Sequence, residues 1–341
     1  MFCKAANSCS RKNAPYTALV LLILTVVAPS AYGQPVLYVV NGGNNTVGLY
    51  NALTGSTINA TFINNTQGLT GPFGIVRDAN NHLFVSNNGF GANQDTVGQY
   101  DAITGATINA TFINGQGLNA PVGMALDGSN HLFVVSTPIV GKYDATTGAT
   151  INATFVDHQG LTIPAGIALD GNNHMFVTNA GNGTVGEYNA TTGATINSTF
   201  INNTQGLTNP YGILLDSLNH ILVADATNGV VAEYNATTGA TINSTFISGL
   251  NDPIGLALDN ANHLFVTVAI NKVAEYDALT GAAINPTFIN GQGLNSPEFL
   301  IFATSVPEPG TLALIGTALA AAWMARKRFR SKSAPPSRKS A

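Results

Sequence analysis

The triplet Asn-His-aliphatic occurs five times, at Asn81-His82-Leu83, Asn130-His131-Leu132, Asn173-His174-Met175, Asn219-His220-Ile221 and Asn262-His263-Leu264. Successive copies start 49, 43, 46 and 43 residues apart. A period of roughly 40–50 residues marks propeller blades of four strands rather than helical or leucine-rich repeats. Residues 164–200 show the unit. Four segments suited to β-strand, 166–170, 175–179, 184–189 and 194–200, are joined by turns rich in Gly and Asn, which reach positive φ at little cost. That pattern is an antiparallel meander. In the last segment Ile196, Ser198 and Phe200 alternate with Thr195, Asn197 and Thr199, which predicts one packed and one wet face. In the third, Tyr188 follows Gly186 by two residues, so a ring and a residue with no side chain share a face, an arrangement that lets neighbouring sheets interlock.

The phase of the repeat constrains the fold further. A third-strand tyrosine appears six times (Tyr50, Tyr100, Tyr143, Tyr188, Tyr234, Tyr276), and a fourth-strand Thr-Phe ends at Phe62, Phe112, Phe155, Phe200, Phe246 and Phe288. The first unit opens with Leu37-Tyr38-Val39-Val40, which matches the second strand of later units and has no first strand before it. Residues 299–303, after the last Thr-Phe, match a first strand with no successors. The expected fold is therefore all-β, a six-bladed propeller of four-stranded antiparallel blades in which the two ends of the domain share one blade. Residues 299–303 should pair antiparallel with 37–40 and bury Leu300 and Phe302. Closure removes exposed sheet edges, whereas an open solenoid would need capping units at both ends. Composition agrees: 36 glycines and only 9% charged residues favour short strands and tight turns, and 45% hydrophobic residues suffice for a core.

The ends read differently. Lys4, Arg11 and Lys12 precede an apolar run over 18–28 and the small residues of Ala31-Tyr32-Gly33, so residues 1–33 are expected to be a secretory signal peptide cleaved after Gly33. Cys3 and Cys9 both lie inside it, which leaves the mature chain without thiol chemistry. After the propeller (34–303) come a linker over 304–310 containing Pro307-Glu308-Pro309, an apolar run expected to form a transmembrane helix over 311–325, and a basic cytoplasmic tail over 326–341.

With these residues in view, the repeats resemble NHL repeats, whose family forms six-bladed propellers; the Asn-His-aliphatic triplets carry the likeness within residues 37–303. The segment from Val306 to Arg330 resembles the PEP-CTERM sorting signal of Gram-negative envelope proteins. That resemblance implies an exosortase-type enzyme as partner, recognising Pro307, Glu308 and Pro309. It implies transient anchoring in the inner membrane, then release to the cell envelope or exterior. Three departures from the NHL pattern stand out: the first blade has no triplet, Leu215 follows Leu214 where Ala-Leu is usual, and Arg77 stands where other repeats have leucine.

Chemistry is sparse. Five of six histidines lie in the triplets, where a repeated position implies a turn role rather than a convergent catalytic set. Asp78, Asp127, Asp170, Asp216 and Asp259 each end a first strand and should accept hydrogen bonds from the following turn. No nucleophile elbow, Walker loop or His-Glu-x-x-His motif occurs, and segments such as Asp170-Gly171-Asn172-Asn173 lack the ligand spacing of a calcium loop. No metal and no cofactor is expected. Asn-x-Thr recurs at Asn59, Asn109, Asn152, Asn197 and Asn243 and reads as polar strand face rather than glycosylation. Residues 34–306 carry three basic side chains against 16 acidic ones, a net charge of −13, which repels phosphate backbones, so nucleic acid is excluded as a partner.

The function expected is that of an exported, surface- or matrix-associated binding module, more readily non-catalytic than an enzyme, for a glycan, peptide or matrix component. The alternative is a propeller enzyme of the lyase or lactonase type with its site at the channel mouth. Variation between repeats concentrates in the second-to-third and fourth-to-first loops, and the longest of the former, 87–96, is expected to be an exposed, glycine-rich binding loop. Candidate ligand-binding residues are Asn87, Asp157, His158, Asn179, Asp225 and Asp252.

Overall fold

The structure, a computed structural model, describes residues 33–89 and 94–304. These form six four-stranded antiparallel sheets. Blade 1 combines the strands Val36–Asn41, Thr46–Asn51 and Thr57–Ile63 with the last strand, Pro297–Ala303. Blades 2 to 6 follow in chain order, their inner strands being Pro72–Arg77, Met124–Leu126, Pro164–Leu169, Pro210–Leu215 and Pro253–Leu258. Each inner strand packs beside the next, and that of blade 1 packs beside those of both blade 2 and blade 6, so the ring is closed. The expected closure is present: Leu37 pairs with Phe302, Tyr38 with Ile301 and Val39 with Leu300. Leu300 is buried, while Phe302 is half-buried against the same core cluster. The expected signal peptide, transmembrane segment, tail and Pro307-Glu308-Pro309 motif lie outside the described residues. Among those described, no helix is long and apolar enough to cross a membrane.

The repeated triplet is a turn device. In blade 4, Asp170 Oδ1 accepts from the backbone N–H groups of Asn172 (2.8 Å) and His174 (2.7 Å), and Oδ2 lies 2.8 Å from His174 Nδ1. Asn173 between them has φ 66°, a left-handed conformation that Asn tolerates better than most residues. Its carbonyl accepts from Ala190 N, tying the turn to the next connection of the same blade.

The Gly-x-Tyr pair serves a different purpose from the one the pattern predicts. A Cβ on Gly186 would lie 2.6 Å from the Tyr188 hydroxyl oxygen, so the glycine clears space for a ring of its own strand rather than for a neighbouring sheet. Laid back along the strand, Tyr188 donates to the carbonyl of Gln159 in the connection arriving from blade 3 (3.1 Å). Tyr50, Tyr100, Tyr143 and Tyr234 donate likewise to Gln292, Gln67, Gln116 and Gln205. Burial pushes the Tyr188 hydroxyl up to about 12, which keeps it a donor at any physiological pH. This inter-blade latch was not part of the sequence expectation.

The outer strands also depart from it. Ile196 is 49% exposed, although Phe200 on its predicted face is buried. Pairing slips between Glu187↔Asn197 and Val185↔Ile201, a bulge that ends the period-two alternation and leaves Phe200 and Ile201 buried side by side. The Asn-x-Thr pattern falls on this bulge. Asn197 Oδ1 accepts from Thr199 N at 3.1 Å, and the same bond recurs in all six outer strands. Each asparagine thus satisfies a backbone donor on a free sheet edge, which opposes edge-to-edge pairing.

Candidate functional site at the axial mouth

Inner strands of blades 2 to 6 begin Pro-x-Gly, except in blade 3, which has Pro121-Val122-Gly123 just before its short strand. The glycine allows adjacent inner strands to approach closely: a Cβ on Gly166 would lie 2.2 Å from the Tyr211 carbonyl oxygen, and one on Gly255 2.6 Å from that of Glu298. Those carbonyls are also held by the preceding blade's second strand, Tyr211 O by Thr178 Oγ1 and Glu298 O by Thr267 Oγ1, both at 2.7 Å. The residue after the proline is thereby fixed at the end of the channel where the inner strands start. Around the ring that position reads Glu298, Phe73, Val122, Ala165, Tyr211 and Ile254.

These six unlike residues build the mouth. Phe73 and Tyr211 belong to blades 2 and 5, opposite one another, yet their ring centroids are 6.3 Å apart, so aromatic rings close the axis. In blade 1 the glycine is replaced by Phe299, whose ring lies 5.6 Å from that of Phe73. Glu298 stands beside this floor. Burial pushes its carboxyl up to about 7, against a hydrogen bond from Ser296 Oγ (3.1 Å) that favours the charged form, and the charge of Asp252 adds to the rise. Burial, Asp252 and Glu298 together raise the Tyr211 phenol. Gly42 leaves room for the carboxyl, since a Cβ there would lie 3.0 Å from Glu298 Oε1.

The residues expected from sequence divide into two groups. Asn87, Asn179 and Asp225 end second strands beside the prolines of their inner strands and are completely buried. Their side chains hold the incoming connection: Thr70 N donates to Asn87 Oδ1 (3.0 Å), Thr162 N to Asn179 Oδ1 (3.4 Å) and Thr208 N to Asp225 Oδ2 (2.6 Å). They position the rim of the mouth from behind. Asp157, His158 and Asp252 are exposed. His158 Nδ1 lies 2.5 Å from Asp157 Oδ1, in the connection from blade 3 to blade 4, whereas Asp252 directly precedes the inner strand of blade 6 and is the one named residue whose charge reaches Glu298 and Tyr211. In the expected binding loop, Gly89 packs against Gly71, Thr96 is buried in a strand, and residues 90–93 lie outside those described. Glu298, Tyr211 and Phe73 were missed. The available signal was the variable column between an invariant-looking proline and glycine.

Arg77 donates to Asn81 Oδ1 at the far end of its strand, and its Nε is buried without a partner. At that opposite mouth the ends of three inner strands line a cavity of about 560 Å³, its wall formed by leucines such as Leu214, Leu256 and Leu300 together with the polar residues Ser217, Asp259, Asn260 and Asn262.

Fold and site define a six-bladed propeller with aromatic rings meeting across its axis and a mixed aromatic and acidic mouth. A family model described as the PEP-CTERM protein-sorting motif matches residues 305–328, which marks the chain as an exported protein anchored transiently in the membrane before exosortase processing. Among solved structures, a chain of the nidogen/laminin complex is similar at TM-score 0.66 and 15% identity, covering 79% of this chain and 98% of that one. A protein of unknown function from Bacteroides caccae is similar at TM-score 0.57 and 12% identity, with coverages of 79% and 98%. These likenesses concern the fold alone. No curated protein matches the sequence.

Proposed function

We propose that this protein is a surface- or matrix-associated binding module that seats a glycan at the mouth formed by Phe73, Tyr211, Asp252, Ser296 and Glu298, after removal of an N-terminal signal peptide and C-terminal sorting tail. The observation that carries the reading is the meeting of the Phe73 and Tyr211 rings at the axis, beside the Ser296–Glu298 pair and within electrostatic reach of Asp252 and Glu298. Aromatic faces take the apolar side of a sugar ring, while carboxyl and hydroxyl groups fix its hydroxyls; few convergent polar groups on an apolar floor is the usual form of a small-ligand seat. A peptide side chain is the other ligand such a seat accommodates.

A second reading has one specific support. A carboxyl raised to about 7 is suited to general acid–base work at neutral pH, and an enzyme of the lyase or lactonase type would place it at this mouth. Screening the protein against envelope polysaccharides separates the two. Under the binding reading, Tyr211→Ala abolishes retention and the recovered polysaccharide is unchanged in length and composition. Chain cleavage lost in Glu298→Gln would replace that reading by the enzymatic one, and retention unaffected by Tyr211→Ala would remove the mouth from consideration.

A further inference from the structure

We propose that blade 5 binds one divalent transition-metal ion of the zinc class between Asp216 Oδ2, His220 Nδ1 and Glu233 Oε1. These three donor atoms lie within 4.8 Å of one another. His220 Nδ1 is 2.9 Å from Glu233 Oε1 and 3.3 Å from Asp216 Oδ2. Bonds of about 2.0–2.2 Å to zinc place tetrahedral neighbours about 3.4 Å apart, close to both distances from the imidazole, and the two carboxylate oxygens lie within 4.8 Å of one another.

The other blades provide the contrast. In blades 2, 3, 4 and 6 the turn histidine lies 2.6–2.9 Å from its aspartate through Nδ1. The third-strand residue at the position of Glu233 is Gln99 in blade 2, paired with Phe84, and Lys142 in blade 3, paired with Phe133. In blades 4 and 6 it is Glu187, at 3.9 Å, and Glu275, at 3.7 Å. In blade 5 the ring has turned toward glutamate, and Nδ1 is buried with no hydrogen-bond partner of acceptable geometry. Glu233 is only 8% exposed, and its Oε1 lies 2.9 Å from this Nδ1.

A single hydrogen on Nδ1 can serve only one of the two carboxylates. A cation at the centre satisfies all three groups. One imidazole and two carboxylates form a nitrogen and oxygen donor set that suits zinc better than calcium or magnesium, which take oxygen alone. Binding leaves the turn intact, because Asp216 Oδ1 keeps its bonds from Leu218 N (2.9 Å) and His220 N (2.8 Å) while Oδ2 is the free ligand. The His220 side chain remains 23% exposed, so the cluster lies at the surface of the blade rather than deep in its core. No sequence motif announces the site, since Glu233 comes from a different strand 13 residues after the histidine.

The test is titration of the chelator-treated protein with Zn²⁺, read by calorimetry for stoichiometry and by melting temperature for linkage. The expected result is one tight equivalent that raises the melting temperature. Glu233→Gln, which spares the turn, and His220→Gln should each weaken it by more than about a hundredfold, beyond the roughly 10–100-fold that loss of an outer partner costs. His174→Gln, the same change in blade 4, should leave it unaltered. Absence of a tight equivalent in the unmodified protein overturns the proposal, as does an equivalent that survives Glu233→Gln or is lost equally in His174→Gln.

Discussion

Replacing Glu298 with Gln should stabilise the propeller at alkaline pH and leave it unchanged in acid. The Glu298 carboxyl sits at about 7 in the folded protein against an ordinary value of 4.5. As pH rises from 4.5 the unfolded chain loses this proton first, and the folded state keeps it until about pH 7. Over that window the folded state binds more protons, so stability falls with rising pH and then levels off. A separation of 2.5 units corresponds to about 3 kcal/mol at 1.36 kcal/mol per unit, and water reaching the partly exposed carboxyl reduces it. Against a typical total of about 5–15 kcal/mol the effect is measurable, at roughly 2–4 °C per kcal/mol for a domain somewhat smaller than this one. The Asp127 and Asp144 carboxyls, held low by hydrogen bonds from their turns, act in the opposite direction: their stabilisation is lost as pH falls below the ordinary carboxylate range. They are common to both proteins and cancel in the difference. Melting curves by circular dichroism between pH 4.5 and 8.5 should coincide at the acid end and diverge upward, with Glu298→Gln the more stable at pH 8. A constant offset, or a variant less stable at pH 8, would refute the reasoning.

Truncation tests the shared blade: a chain ending at Asn295 should aggregate or unfold, because it loses the pairing to Leu37 and Val39 and the burial of Leu300, worth roughly 1.5–3 kcal/mol for that side chain alone. A chain ending at Ser305 should melt cooperatively, and equal melting temperatures for the two would count against the closed ring's importance. Gly186→Ala should cost about 1–3 kcal/mol by driving a Cβ into the Tyr188 ring, whereas Tyr188→Phe, which removes only the bond to Gln159, should cost about 0.5–1.5 kcal/mol; urea midpoints rank the two. Glu308→Ala should leave unprocessed precursor in the membrane fraction on immunoblots, and unchanged processing would remove that residue from the recognition of the sorting motif.

What was legible in the sequence is what repeats. The triplet spacing, the six tyrosines and the offset of the first unit determine blade number and closure because each reports the backbone geometry of a repeated unit. The less legible features depend on how far a side chain reaches. Gly186 and Tyr188 share a face in any pleated strand, but only coordinates show that the ring lies along its own strand and donates to the neighbouring blade. Alternation in 195–200 predicted a packed face that a bulge abolishes. Asn87, Asn179 and Asp225 looked available because polar residues before a loop usually are, yet each is spent holding the loop behind it.

The mouth was hidden for a related reason. In a ring of near-identical blades any asymmetric site must come from positions where the repeat breaks, and the informative breaks lie in the column where all six inner strands meet the axis. Phe73 and Tyr211 are 138 residues apart in sequence and face each other only because their blades are three apart in the ring. Glu298 is harder still to place. Its strand belongs to blade 1 while lying at the far end of the chain, so it falls in the same column as Phe73 only once the ring is closed through that strand. The closure that stabilises the fold is therefore also what brings the carboxyl to the aromatic floor.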